Sequence, residues 1–286
     1  MTPPLVSVVV TTKNEEANIK NCLQSIISQS YKNVEIIVVD NHSTDKTKEE
    51  VDRMCHSREG GNPASNHISF YSYGPERSAQ RNFGVEKAQG MYILYVDADM
   101  LLSSDLVENC VDYMCKNNCI ALHISEQVMG KGYWGQVRRF ERSFYDGTVI
   151  DGARFMQKKT FLKIKGFDEN LSGPEDWDID KRIKKIGPIC LLPNNNSKTV
   201  IFHNEAQFNV FKYINKKQYY GKSFATYIEK WGKDDPDIKK QFGLWYRYFG
   251  VFMEQGKWKK LLINPHLAFG MYFLRILVGV NFLLNE

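Results

Sequence analysis

Two acids spaced two residues apart, Asp97-Ala98-Asp99, close the apolar run Tyr92–Val96 and precede Met100-Leu101-Leu102. On a chain leaving a strand, such a pair can share one hard cation, because Mg2+ and Mn2+ prefer carboxylate oxygens and leave coordination places for phosphate oxygens. The pair alone reads equally well as a turn former or helix cap. Its apolar setting is more specific, since carboxylates drawn out of water need a counter-charge. Further polar groups follow other apolar runs: Thr11, Lys13 and Glu15 after Leu5–Val10, and Asp40-Asn41 after Val34–Val39. His203 ends a last run from Thr199, and its ordinary role is a hydrogen-bonded strand-end histidine. Glu175 and Asp176 open a helical pattern, where acids are favoured by the helix dipole whether or not one of them moves a proton.

These groups need a scaffold that brings strand ends together. Leu5–Val10, a helical pattern through Ile19, Leu23, Ile26 and Ile27, and then Val34–Val39 read as strand, helix, strand. Continuous Val/Ile runs belong to strands buried on both faces, so a parallel sheet is expected. A helix over roughly 45–55, a strand Ile68–Tyr73, a helix Ser78–Ala88 and the strand Tyr92–Val96 extend the alternation. A helix over about 104–116, a strand near 119–125, and a strand, short helix and second helix between Val149 and Gly187 follow. Residues 56–67 carry turn formers and no periodicity, as expected of an exposed loop or an insertion. In an open parallel sheet ligands gather at the carboxyl ends of the strands, so the polar groups above should converge on one crevice.

Composition bounds the alternatives. With 286 residues, 43% of them hydrophobic, the chain can bury a large core, and a net charge of +5 is too small an excess to demand nucleic acid. The N-terminus lacks the basic and apolar regions of a signal peptide, which points to the cytoplasm and to free thiols for all six cysteines. Cys110, Cys115, Cys119 and His123 fall at helical as readily as at metal-ligand intervals, and no C-x-x-C occurs. Gly130-Lys131-Gly132-Tyr133-Trp134-Gly135 is a literal G-x-G-x-x-G, but Tyr133 and Trp134 fill the place where backbone should approach a pyrophosphate.

Several landmarks, taken in order, carry a family resemblance. Val6–Glu16, the Ser28-Gln29-Ser30-Tyr31 turn and Glu35–Asp45 resemble the opening of family-two glycosyltransferases with the GT-A fold. Ala79-Gln80-Arg81-Asn82-Phe83-Gly84 and Gly90–Asp99 are similar to that family's Arg-Asn-x-Gly helix and D-x-D strand. Gly166-Phe167-Asp168-Glu169, then Glu175-Asp176-Trp177-Asp178 and Arg182, resemble the segment that delivers its catalytic base. The resemblance spans roughly residues 4–205 and implies an α/β GT-A fold: a mixed, mostly parallel Rossmann-like sheet flanked by helices. Residues 1–103 would form the nucleotide-sugar-binding half and 104–205 the acceptor half. A helical C-terminal extension, residues 206–286, would follow.

Carried over by position, the resemblance implies that Thr11, Lys13, Glu15, Asp40 and Asn41 border the nucleotide, and that Arg81 and Arg77 face the donor near its diphosphate. Asp97 would approach the ribose or metal-bound water, Asp99 would ligate Mn2+ or Mg2+, and His203 would lie near the metal. Asp176, or else Glu175, would be the general base of an inverting transfer. The chain has Thr11-Thr12-Lys13-Asn14 where the family commonly has Pro-Thr-Tyr-Asn, and Asn41 where a second acid is usual, which bears on the base rather than the reaction class. The implied partners are a nucleotide-diphosphate-sugar and a saccharide or lipid-linked acceptor, in cell-surface glycan or glycolipid synthesis. A nucleotidyltransferase, which usually carries a glycine-rich loop after its first strand, and a non-catalytic carbohydrate-binding or scaffold subunit are the alternatives. In the tail, lysines alternate with aromatic residues, and Leu267–Leu284 is apolar but broken by Arg275. A buried arginine is costly in a spanning helix, so a helix lying on the membrane face or packed on a partner is expected instead.

Overall fold

The computed structural model describes residues 2–56, 68–194, 198–205 and 208–283. Residues 57–67, most of the expected loop, lie outside the described residues. The main sheet contains β1 (Val6–Thr12), β2 (Val34–Asp40), β3 (Ile68–Ser72) and β4 (Tyr92–Asp97), all mutually parallel. After the short β5 (Met100–Leu102), the chain adds β6 (Ala121–His123), β7 (Ser125–Val128), β8 (Ala153–Gln157), β9 (Ile189–Leu191) and β10 (Val200–His203). The seven-stranded order is β3-β2-β1-β4-β8-β6-β9, with β8 antiparallel to both neighbours. A second sheet, β5-β10-β7, takes in the last run from Thr199 as β10 and adds two strands of three and four residues.

All seven residues of β1 are buried, as a strand covered on both faces requires. Alternate side chains point to opposite faces. Val6, Val8 and Val10 pack with α1 (Ile19–Ile27) and α4 (Leu106–Lys116) through Leu23, Ile26 and Val107. Val9 faces the other layer, formed by α3 (Arg77–Lys87), α6 (Lys158–Lys163) and α7 (Glu175–Lys184), where it shares a core with Val85, Ile179 and Ile183. Gly84 is needed there, because a Cβ would lie only 3.2 Å from the Val39 side chain and closer still to Val9. The helix α2 (Thr47–His56) lies beside α1, and α5 (Gly132–Arg142) follows β7.

The tail folds back on the same body. It comprises α8 (Val210–Gly221), α9 (Phe224–Trp231), α10 (Pro236–Phe242), a π-helical turn (Tyr246–Gly250), α11 (Val251–Met253), α12 (Lys259–Ile263) and α13 (Pro265–Leu283). Val137, Phe140 and Phe144 of the α5 region form one core with Tyr246, Phe252, Met271 and Leu274. The α13 helix thus packs on its own chain, and no helix among the described residues is long and apolar enough to cross a membrane. Arg275 points inward, with its guanidinium on the Arg247 carbonyl and the Tyr145 hydroxyl and 3.1 Å from Glu141.

One cysteine expectation needs correction. Cys119 and Cys190 form a disulfide, whereas Cys22, Cys55, Cys110 and Cys115 are not in disulfides. The pairing follows from β6 and β9 lying side by side, which sets the two Cα atoms 6.0 Å apart despite a sequence separation of 71. Cys110 is buried and Cys115 exposed, so the 110–123 series does not close on a metal.

His123 of β6 is instead a core residue, with Nε2 2.6 Å from Asp180 and Nδ1 3.7 Å from Asp151. Burial opposes its protonation, but the charges of Asp180 and Asp151 outweigh burial and raise its pKa. A raised value stabilises the fold fully below the unfolded pKa of about 6.5, and the contribution disappears as pH climbs through the folded value. The stability lost in His123→Gln should therefore be largest below about pH 6.5 and shrink on the alkaline side. Denaturant midpoints of both proteins from pH 5.5 to 9 test this; a gap independent of pH would contradict it.

Candidate active site

Strand register assembles the site. Parallel pairing sets Thr11 opposite Asp97 and Thr12 opposite Asp40, so the carboxyl ends of three strands lie in one row. Antiparallel pairing of β5 with β10 sets His203 opposite Met100, and the Asn204 N–H donates to the Asp99 carbonyl at 2.8 Å. A single cavity of 1490 Å³ opens along this row. Thr11, Lys13, Glu15, Asn41, Arg77, Asp97, Asp99, Asp176 and His203 all line it.

Asp40, Arg81 and Glu175 lie behind the wall. The Asp40 carboxylate is turned into its own loop, where it accepts from the Ser43 N–H at 2.8 Å and from the Ser43 hydroxyl. Glu175 is 1% exposed, pairs with Arg77 and accepts from the Gly173 N–H. Asp176, the next residue, is 21% exposed and faces the cavity. It sits so close to Gly152 that a Cβ there would lie 2.8 Å from the Asp176 Cβ.

Arg81 connects these acids. Its side chain is completely buried, with one terminal nitrogen 3.0 Å from Asp97 and the other 3.0 Å from Asp176. The Tyr95 and Phe167 rings flank the guanidinium at 4.8 and 5.1 Å, a favourable cation–π setting. Asp97 also accepts from the Thr11 hydroxyl at 2.9 Å and has Arg77 at 3.6 Å. Burial alone would raise the Asp97 pKa, but Arg81, Arg77 and Arg154 outweigh it and hold the carboxyl well below the usual carboxylate range.

Asp99 has a different environment. Its Oδ2 is 3.0 Å from His203 Nε2, while its buried Oδ1 has no hydrogen-bond partner among the described residues. A buried carboxylate oxygen without a donor is costly unless a cation or water meets it. Glu15 senses the same acidity: burial, then the charges of Asp99 and Asp97, raise its pKa against the opposing Asn18 hydrogen bond. Carboxylate and imidazole donors suit Mn2+, and Mg2+ is commonly bound by one or two carboxylates plus substrate phosphates. Among the described residues no three His, Cys, Asp or Glu side chains form a complete metal cage. The fit is thus to a cation held by Asp99 and His203 and shared with a ligand.

The opposite wall holds an ionic group missing from the sequence-based set. Glu126 of β7 sits between Arg142, at 3.3 Å, and Arg154, at 2.9 Å. Burial would raise its pKa, but the two guanidiniums depress it. Arg154 lies inside the otherwise apolar stretch Ala153-Arg154-Phe155-Met156, and a charge in a buried strand was the available signal. The glycine triplet at 130–135 has a purely structural cause. A Cβ on Gly130 would lie 2.6 Å from the Gly135 Cα, so the two glycines let the chain cross itself at the start of α5.

A mixed sheet with acids at converging strand ends and a helix-borne carboxylate opposite defines a GT-A glycosyltransferase architecture. The chain belongs to glycosyl transferase family 2, whose model matches residues 7–169, more than half its length. Similar curated proteins include an uncharacterized glycosyltransferase of Haemophilus influenzae, 32% identical over 43% of this chain and 47% of that one. The Escherichia coli chondroitin synthase is 24% identical over 65% of this chain and 27% of its own length. The chain thus matches about half or less of the length of these relatives. Among solved structures, the mannosyltransferase PcManGT from Pyrobaculum calidifontis, in complex with GDP-Man and Mn2+, superposes with a TM-score of 0.64 at 19% identity. That match covers 99% of this chain and 81% of that one. S. aureus TarS 1-349 with UDP-GlcNAc gives 0.55 at 15% identity, over 93% and 79% of the two chains. At these identities the likeness is one of fold.

The geometry separates two kinds of acidic residue by their effect on stability. Arg81→Met leaves Asp97 and Asp176 without their shared cation and should destabilise by about 3 kcal/mol, the lower end for a broken buried pair because both carboxylates keep some solvent. Asp99→Ala removes one partly exposed contact and an unpartnered oxygen, so its change should stay within about 1 kcal/mol. Denaturant unfolding of both variants checks the contrast; equal losses would refute it.

Proposed function

We propose that the chain is a metal-assisted, inverting glycosyltransferase that moves a sugar from a nucleotide-diphosphate-sugar to a hydroxyl acceptor in cell-surface glycan or glycolipid synthesis. The supporting observation is the division of the helix-start acids: Asp176 faces the cavity that Asp99 and His203 line, while Glu175 is locked behind it. One Asp176 oxygen is held by Arg81, and the other makes no hydrogen bond with a described residue. Relatives named for polymer synthesis agree with this reading, among them the putative teichuronic acid biosynthesis glycosyltransferase TuaG of Bacillus subtilis, 28% identical over 41% of this chain.

In this reading Thr11, Lys13, Glu15 and Asn41 border the nucleotide, and Arg77 faces the diphosphate. Arg81 acts from behind, fixing Asp97 and Asp176 relative to one another. Asp176 takes the acceptor hydroxyl's proton as that oxygen bonds to the anomeric carbon from the face opposite the leaving group. The bond to the phosphate oxygen breaks, its electron pair leaves with the nucleoside diphosphate, and an α-linked donor gives a β-linked product. A bound Mn2+ or Mg2+, held by Asp99 with His203, would offset the charge on that diphosphate. The exposed Leu262, Ile263 and Phe269, beside Lys259 and Lys260, suit peripheral contact with an anionic membrane face.

Mn2+ with UDP or GDP should raise the melting temperature of the wild type, and Asp99→Ala should lose the metal-dependent part of that rise. Asp176→Asn should keep the nucleotide-induced rise but lose about 10²–10⁴-fold in turnover of nucleotide-sugars. Unimpaired turnover in Asp176→Asn would remove Asp176 as the base. A wild type that responds to no nucleotide would remove the transferase reading.

A further inference from the structure

The tail contributes to the cavity wall a group that the donor chemistry does not use. The π-helical turn carries Arg247, and α13 carries Arg275; both line the cavity. Three hydrogen bonds fasten the turn to the helix: Arg275 to the Arg247 carbonyl, the Tyr248 hydroxyl to the Arg275 carbonyl at 3.0 Å, and the Tyr272 hydroxyl to the Tyr248 carbonyl at 2.9 Å. Isolated π-helical turns often mark functional positions, because the widened turn re-aims its side chains.

Charge around this junction is not balanced among the described residues. Arg138 pairs with Glu141 and Glu205, and Arg275 leans on the same Glu141 at 3.1 Å. Arg247 makes no ion pair with any described residue. The Nε of Arg275, on a side chain 8% exposed, is buried without a hydrogen-bond partner. Burial and then the like charge of Arg275, opposed by Tyr145, push the Arg247 guanidinium below its usual pKa. Since a guanidinium does not give up its proton in a protein, an anion would relieve the imbalance.

Immediately around these cations the cavity wall becomes apolar and faces solvent. Leu244 and Trp245 are 76% and 75% exposed, Phe249, Ile276 and Val280 are also exposed, and all five line the cavity. Trp245 and Phe249 lie with ring centroids 5.0 Å apart. Exposed aromatic and aliphatic side chains grouped at a cavity mouth mark a binding surface.

We propose that this end of the cavity binds an amphiphile with an anionic head, the head on Arg247 and Arg275 and the hydrocarbon chain on the apolar collar. Resting on the transferase reading, the site defines the acceptor class: a lipid phosphate or related anionic amphiphile rather than a neutral sugar. A hydrocarbon chain alone would leave Arg247 without a counter-charge, and inorganic phosphate alone would leave the collar in water; an amphiphile satisfies both.

The test is calorimetric titration of the full chain with dodecyl phosphate below its micelle concentration, beside inorganic phosphate and the neutral dodecyl maltoside. Dodecyl phosphate should bind at least tenfold tighter than either control. Arg247→Gln, whose side chain has no ion pair among the described residues to lose, should weaken it about tenfold, and the exposed Trp245→Ser several-fold. Circular dichroism and the melting temperature of each variant report folding. Equal affinity for the phosphate and maltoside amphiphiles, or full affinity in a folded Arg247→Gln, overturns the proposal. So does binding to anionic vesicles without uptake of dodecyl phosphate, which would make the collar a membrane face. A wild type that takes dodecyl phosphate but no nucleoside diphosphate supports the amphiphile site while removing the donor-site reading. One that binds nucleotide but no amphiphile overturns this proposal alone.

Discussion

The site depends on one buried cation. Arg81 carries a full charge at a position with no solvent contact, which a protein tolerates only when acids compensate it. The acids come from different elements, Asp97 from the end of β4 and Asp176 from the start of α7. Satisfying the guanidinium therefore fixes a strand end against a helix start across the cavity floor. Tyr95 and Phe167 close over its faces, so the charge cannot drift toward water. In exchange, both carboxylates are held in one orientation before any ligand arrives, which is what a site built on preorganised charge requires.

That constraint also separates acids that look alike in sequence. Asp97 and Asp99 are two residues apart, yet Asp97 meets Arg81, Arg77 and Thr11, whereas the Asp99 carboxylate meets His203 and keeps one oxygen without a donor among the described residues. The first is saturated by protein and the second has capacity for a cation. Glu175 and Asp176 divide similarly, because successive helix residues point about 100° apart. One turns inward to Arg77, and the other reaches the cavity.

Legibility in the sequence followed the strength of the physical signal. The parallel core was readable because Val6–Val10 and Val34–Val39 bury both faces and leave no doubt about strand type. Convergence of Thr11 and Asp97 followed from where those runs stop. The direction of a side chain was not readable: Asp40 ends a strand as expected, but its carboxylate is consumed by Ser43. Nor was the pairing in the small β5-β10-β7 sheet, since the run from Thr199 to His203 shows a strand but not its neighbours. The Cys119–Cys190 bridge depends on a contact between segments far apart in the chain, which no local pattern encodes, whereas Arg154 was a visible charge in an apolar strand whose partner Glu126 only the packing reveals.

The basic residues of the cavity wall come from packing rather than from the sheet. Val137 and Phe140 of α5 share a core with Met271 and Leu274 of α13, which leaves Arg138, Arg142, Arg247 and Arg275 at the cavity edge. Most of that charge is answered by the protein: Arg138 by Glu141 and Glu205, Arg142 by Glu126 and Asp151, and Arg275 by Glu141. Arg247 has no ion pair among the described residues. The acids at the strand ends are answered in the same way, Asp97 by Arg77 and Arg81. What is left over, one oxygen of Asp99 and the guanidinium of Arg247, is charge held in place before a ligand arrives.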